Sequence, residues 1–216
     1  MNKAATFSSI FLLVAALQLN VSKAENFYVS GFVGLSDLPV EYFETTPNFG
    51  ATYGIDFASG YNIGGAVGLR LNDNFRTEIE ISTFKANADK FIQFGTTSTL
   101  NGDISGIVGL ANLWFDLPNE SDLIPYAGGG IGFAKSNMNT FFSSPAESSV
   151  VGTDLNFAIQ LGAGLRMDMT EHVSLDVGYR FKSIRNLILD VPDLGRKTAN
   201  LDLNMHVIEV GMTYAF

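Results

Sequence analysis

Strict alternation from Ile208 to Phe216 constrains this chain more than any other stretch. Ile208, Val210, Met212, Tyr214 and Phe216 are large and apolar, while Glu209, Gly211, Thr213 and Ala215 between them are small or polar. A period of two marks a strand with one oily and one polar face. The oily face here is aromatic at its last two positions. That is the pattern expected where a strand reaches the interface of a membrane rather than a water-facing edge.

The opposite end of the sequence predicts export. Lys3 supplies a positive start, Ile10 to Leu17 is a short apolar core, and Ser22-Lys23-Ala24 places small residues at the two positions a signal peptidase inspects. Residues 1–24 therefore read as a secretory signal peptide, with residues 25–216 as one domain. Gln18 and Asn20 cut the apolar run short of the roughly 20 residues a membrane helix needs. The chain has no cysteine, which excludes a lipid-anchoring thiol, a disulfide framework and thiol chemistry. The net charge is −9. Such a balance disfavours nucleic acid, whose phosphates would repel it. The longest uncharged stretch, Phe57 to Leu69, is broken by glycines and an asparagine, so no spanning helix is expected there. A chain this hydrophobic without a spanning helix meets lipid through alternating strands.

Eight segments alternate, each of a length that suits a tilted spanning strand. They are Asn26–Leu35, Tyr61–Leu71, Phe75–Lys85, Ile104–Phe115, Ile124–Ala134, Leu155–Met167, Val173–Ser183 and the terminal segment. The seventh shows the pattern most simply. Val173, Leu175, Val177, Tyr179 and Phe181 face one way, and Ser174, Asp176, Gly178, Arg180 and Lys182 face the other. The fourth has apolar residues on both faces, and its inward side is left open. Asn72-Asp73-Asn74 and Asp168 to His172 read as tight turns. Connections alternate in length. Those after the first, third, fifth and seventh segments are long, at 36–60, 86–103, 135–154 and 184–204. Short inner turns, long outer loops and an even strand count predict an all-β, eight-stranded antiparallel up-and-down barrel in the outer membrane.

Six stretches carry a family resemblance: Gly60 to Arg70, Arg76 to Glu80, Ile124 to Gly132, Gln160 to Arg166, Val173 to Arg180 and Tyr214 to Phe216. Together they resemble the small eight-stranded outer-membrane barrels known as porin-family proteins or opacity-type surface antigens, which are similar in fold to the OmpA-type barrel. The resemblance implies a bacterial outer-membrane location. It implies lipid and lipopolysaccharide as surroundings, and the barrel-assembly machinery as the reader of Tyr214 and Phe216. It names no function, because the family spans adhesins, immune-evasion antigens and proteins of no known role. Ala215 stands where the family often has a basic or polar residue.

Three groups of residues are candidates for function. Arg70, Arg76, Arg166, Arg180 and Lys182 share the inward parity with Glu78, Glu80, Asp176 and Glu209. An eight-stranded interior is just wide enough for side chains, and buried charges persist only when paired. A mutual salt-bridge plug is therefore expected rather than a pore lining. Arg180 and Glu209, on neighbouring strands, are the expected central pair. Second, Ser183 and His206 share the lipid-facing parity, and such a pair would suit ester hydrolysis at the outer leaflet; no acid that would orient the histidine is evident. Third, the long loops carry Tyr42, Phe43, Phe49, Tyr53, Phe57, Phe141, Phe142, Leu187 to Leu189 and Val191. These form either a binding surface or the packing of strands that run on above the membrane. No metal spacing, phosphate loop or cofactor motif is present. The reading is a monomeric, non-enzymatic surface barrel, structural or adhesive, whose loops meet a host or extracellular ligand. The alternatives are a narrow passive channel and, more remotely, an outer-leaflet lipid hydrolase.

Overall fold

The computed structural model describes residues 26–46, 52–93, 95–117, 121–141, 150–152, 155–191 and 197–216. The predicted signal segment, Phe49 and Phe142 lie outside them. Twelve strands follow in order: β1 (Phe27–Asp37), β2 (Glu41–Thr46), β3 (Thr52–Phe57), β4 (Gly60–Arg70), β5 (Phe75–Gln93), β6 (Thr96–Thr99), β7 (Asn101–Asp116), β8 (Leu123–Phe141), β9 (Val150–Gly152), β10 (Leu155–Asp168), β11 (Val173–Val191) and β12 (Lys197–Ala215). They form eight wall strands, because four short pieces prolong others. β2 and β3 continue the hairpin of β1 and β4, with Glu41 opposite Ile55 in the same register as Ser36 opposite Gly60. β6 prolongs β7 along β5, and β9 prolongs β10 along β8. Every pairing is antiparallel, and β1 against β12 closes the ring from Tyr28↔Ala215 up to Asp37↔His206. Closure leaves no unpaired edge in lipid.

Side chains pin the inner turns. Asn72 Oδ1 accepts the N–H groups of Asn74 and Phe75 at 2.9 and 2.8 Å. Ser121 Oγ accepts Leu123 N–H at 3.1 Å. Thr170 Oγ1 accepts those of His172 and Val173 at 3.2 and 3.0 Å. These are the local bonds for which Asn, Ser and Thr are favoured in turns.

The outer wall is an apolar belt. Leu35, Ile81, Ile131, Leu161 and Ile208 are among its most exposed members. Rings border it on both sides: Phe27, Phe75, Phe115, Tyr214 and Phe216 below, and Tyr61, Phe133, Phe157 and Tyr179 above. Aromatic girdles around an apolar band are how a barrel sits in a bilayer.

The long outer connections take the second of the two forms the sequence left open, strands that run on above the membrane. Much of 36–60, 86–103, 135–154 and 184–204 is strand, and the walls run on well beyond the upper girdle. The physical reason is visible on β12. Odd-numbered residues point inward from Leu201 to Thr213. Within the membrane the apolar residues are the even ones, Ile208, Val210 and Met212, facing lipid. Above it they are the odd ones, Leu201, Leu203, Met205 and Val207, facing the interior. Apolar residues must face lipid below the boundary and avoid water above it, so the alternation changes phase at Val207–Ile208. β5 changes phase between Ile81 and Phe84, and β8 between Phe133 and Ala134. The resulting apolar core fills the outer half of the barrel. It includes Leu38, Tyr53, Ile55, Phe57, Phe84, Leu100, Ile104, Val108, Met138, Ile184, Leu187 and Leu203.

Register irregularities collect near the same height. β11 carries an extra residue between Ile184 and Leu187. Asn186 there has φ 55°, and its neighbours satisfy it. Asp202 Oδ1 accepts its N–H at 3.0 Å, and Asn156 Nδ2 donates to its carbonyl at 2.7 Å. Such bulges bend a wall where it changes surroundings.

Candidate functional site

The inner half of the interior is built from charge and aromatic rings. All nine charged residues read as inward from the sequence lie on the inward parity of their strands, and Arg76, Glu78, Glu80, Arg166, Arg180, Lys182 and Glu209 are buried. Arg180 Nε meets Glu209 Oε1 at 2.9 Å. Lys182 Nζ meets Glu80 Oε1 at 2.7 Å and donates to Ser82 Oγ at 3.1 Å. Arg76 Nη1 lies 3.9 Å from Glu78 Oε2. Asp176 and Arg70 form no ion pair among the described residues; Asp176 instead accepts from Tyr126 OH at 3.4 Å.

Asp116 is the residue the sequence reading lacked. Its carboxylate holds Arg76 Nε at 3.1 Å and Arg166 Nη1 at 2.9 Å. It belongs to β7, the fourth wall strand, whose inward side was left open. The structure settles that side: Ile104, Val108, Leu110, Asn112, Trp114 and Asp116 are buried inside, while Ile107, Leu113 and Phe115 face out. β7 crosses from the apolar core into the charged half, so its inward face is apolar above and polar below. An average over the strand therefore hides the signal; Asn112 and Asp116 on one parity were the usable clue. With Asp116, the inward set has five acids against five bases.

Neutral groups knit the charges together. Glu78 accepts from Tyr28 OH at 3.0 Å, Trp114 Nε1 at 2.7 Å and Asn112 Nδ2 at 3.1 Å. Glu80 accepts from Asn112 Nδ2 at 2.9 Å and Gln160 Nε2 at 3.1 Å. The Arg180 guanidinium lies 4.1 Å over the Trp114 ring, and that of Arg76 lies 4.9 Å over Tyr126. Both arginines therefore gain a cation–π contact besides their carboxylates. Glycine makes the room. A Cβ on Gly162 would stand 2.7 Å from Arg180 Cδ, and one on Gly130 would collide with Asn112. A small residue on one strand thus lets a long side chain from the next lie flat against the wall. This arrangement binds charges to one another.

Ser183 and His206 are not brought together. Ser183 is fully buried and donates from Oγ to Asn204 Oδ1 at 2.8 Å. His206 Nδ1 lies 2.6 Å from Tyr179 OH, with Phe181 at 5.4 Å between ring centres. His172 stacks on Tyr214 at 6.0 Å near the inner girdle. Among the described residues, no group of three or more acidic or histidine side chains could hold a metal.

Of the apolar loop residues, Tyr53, Phe57 and Leu187 pack inward, whereas Tyr42 is 61% exposed. Phe43, Phe141, Ile188, Leu189 and Val191 belong to strands β2, β8 and β11.

Comparison with known proteins agrees with this architecture. The family model of the outer membrane protein beta-barrel domain matches residues 9–216. A protein of Brucella suis biovar 1 (strain 1330), described as uncharacterized, is 27% identical over 205 residues, covering 77% of this chain and 69% of its own. Among solved structures, the outer membrane protein OprG from Pseudomonas aeruginosa superposes with a TM-score of 0.65 at 15% identity, over 89% of this chain and 97% of its own. Neisserial surface protein A gives 0.52 at 15% identity, over 88% and 97%. With the closed ring, the apolar belt and its two girdles, these matches place the chain in the outer-membrane β-barrel domain family, as an outer-membrane protein of a Gram-negative bacterium.

Proposed function

We propose that this barrel is a closed, surface-displaying protein, structural or adhesive, whose outer hairpins meet a host or extracellular ligand. One observation supports this most: the interior is occupied over its height. Paired charges fill the inner half, and a packed apolar core fills the outer half. Eight strands leave an interior that side chains can fill, whereas an aqueous lumen needs about 16. Meanwhile the wall strands continue beyond the membrane, so the protein commits much of its chain to an outer turret. A turret that transports nothing is best explained as a display surface. The acidic balance of the chain favours a partner with basic and apolar surface.

Planar-bilayer recording on the purified protein tests the closed state. Negligible current is expected at neutral pH. Large, stable single-channel steps would overturn this reading in favour of the narrow channel. A lipid hydrolase has no support in the geometry, because Ser183 and His206 each have other partners.

A further inference from the structure

The wall changes its bonding at Pro39. The β1–β12 ladder starts with Phe216 N–H donating to Phe27 O at 3.0 Å and climbs to Asp37↔His206. Hydrogen-bonded rungs recur every second residue, so the next would set Pro39 against Asn204. Proline has no N–H to donate, and the ladder stops there. Pairing with β12 resumes only at Thr45↔Ala199 and Thr46↔Thr198, one residue out of step. In the gap a side chain does the work of a backbone. Glu41 Oε1 accepts both the main-chain N–H and the side-chain amide of Asn204, each at 2.9 Å.

The other margin of the same hairpin is different. β3 keeps a ladder with β5 from Tyr53↔Gln93 to Asp56↔Lys90 and, after a shift of one residue, at Phe57↔Ala88. Both hairpin strands also leave strand geometry at one height, at 38–40 and 58–59. Behind the hairpin lie Leu38, Leu203 and Met205, each 1% exposed or less. One margin is a five-rung ladder with one register shift at its base, where Ala58 N–H still donates to Asn87 O at 2.9 Å, and the other is a two-rung contact plus a carboxylate.

We infer that the first outer hairpin, β2–β3, is a cover hinged along β5 and latched to β12 by Glu41, and that the charge on Glu41 sets how tightly the cover closes. Glu41 lies above the upper girdle, outside the membrane. Burial pushes its carboxyl above the ordinary value, and the Asn204 bonds oppose that rise. Of the charged neighbours, Asp202 on β12 adds to the rise and Arg185 on β11 works against it. Asp37 and His206 form the last rung below, and β3 presents the apolar Ile55. A carboxyl whose pKa is raised by closure binds its proton more tightly in the closed state. Closure is therefore favoured in acid and loosens as the pH rises through the closed-state value.

The chain has no cysteine, so single introduced thiols can report. In the full-length protein in phospholipid liposomes, Leu203→Cys reports from behind the cover, Tyr42→Cys serves as an exposed reference, and Leu110→Cys serves as a buried control. The labelling rate at 203 relative to 42 should climb with pH, by up to about tenfold per pH unit, the limit for one proton. Position 110 should stay unlabelled throughout. Adding Glu41→Gln, which is neutral at every pH, should flatten the dependence and hold the ratio at its acid value. A ratio independent of pH, or the same dependence in the Glu41→Gln background, would overturn the latch. Should Leu203→Cys fail to fold, spin labels at the exposed Tyr42 and Leu155 give the same answer. Their distance distribution should broaden as pH rises in the parent background and stay narrow with Glu41→Gln; equal widths in both would reject the inference.

Discussion

Asp116 pairs with two guanidinium groups through one carboxylate, and Glu209 pairs with one. Breaking a buried pair leaves a charge uncompensated and costs about 3–5 kcal/mol. Glu209→Ala should therefore lower stability clearly in detergent unfolding experiments, and Arg180→Ala on top of it should recover part of the loss. Simple addition of the two losses would show that the pair is not coupled. Further out, Asn186 at φ 55° tests the bulge on β11. Asn186→Gly should be nearly silent, whereas Asn186→Val should cost about 1–2 kcal/mol, since a branched residue resists that region. The same bulge should respond to acid. Partial burial pushes the Asp202 carboxyl up, but the Asn186 N–H and Arg185 outweigh it and hold the carboxyl below its ordinary 3.8. A depressed carboxyl contributes stability above its unfolded value and loses it as pH falls through the folded value. Hydrogen-exchange protection of the Asn186 amide should therefore be constant at neutral pH and collapse only below about pH 4. Asp202→Asn should remove that acid transition.

Among the elements, β12 carries the most consequences. It closes the ring with β1, pairs with β11, and places Tyr214 and Phe216 edge to face at 5.4 Å in the inner girdle. Removing Phe216 deletes a single ladder bond, to Phe27 O. The direct loss of stability should then be small, about 0.5–1.5 kcal/mol. A sharp fall in outer-membrane insertion is nevertheless expected, with synthesis and export unaffected, because the resemblance implies that assembly machinery reads this aromatic. Fractionation of cells expressing the truncated protein checks this, and unchanged outer-membrane levels would reject it.

The whole molecule has two interiors stacked end to end, charged below and apolar above. Its outer turret rests on the second. Replacing Glu41 to Phe57 with a short Gly-Ser link removes the β2–β3 cover while leaving the β1–β4 ladder, which ends at Ser36↔Gly60. Insertion should persist, since the spanning belt is untouched. Binding of the ligand proposed for the outer hairpins should fall, and Tm should drop as Leu38 and Leu203 lose their covering. Intact ligand binding in this variant would move the proposed display role to the other hairpins.

Local alternation was enough to determine the spanning strands. Each spanning segment must show lipid one face and its own interior the other, and that demand is met residue by residue, as from Val173 to Phe181. For the same reason nine inward charges were readable by parity alone, whereas Asp116, on a strand with apolar residues on both faces, was not. Beyond the neighbouring-strand pair Arg180 and Glu209, which charge meets which could not be read. Arg76 lies 40 positions from Asp116, and Lys182 lies 102 from Glu80; only the closed ring and its stagger bring them together. Tertiary structure also decided the outer turret. Its strands alternate too, but in the opposite phase, because water replaces lipid outside while the interior stays dry. Ile208 and Val207 are both apolar for opposite reasons, and the boundary between those reasons is the membrane surface.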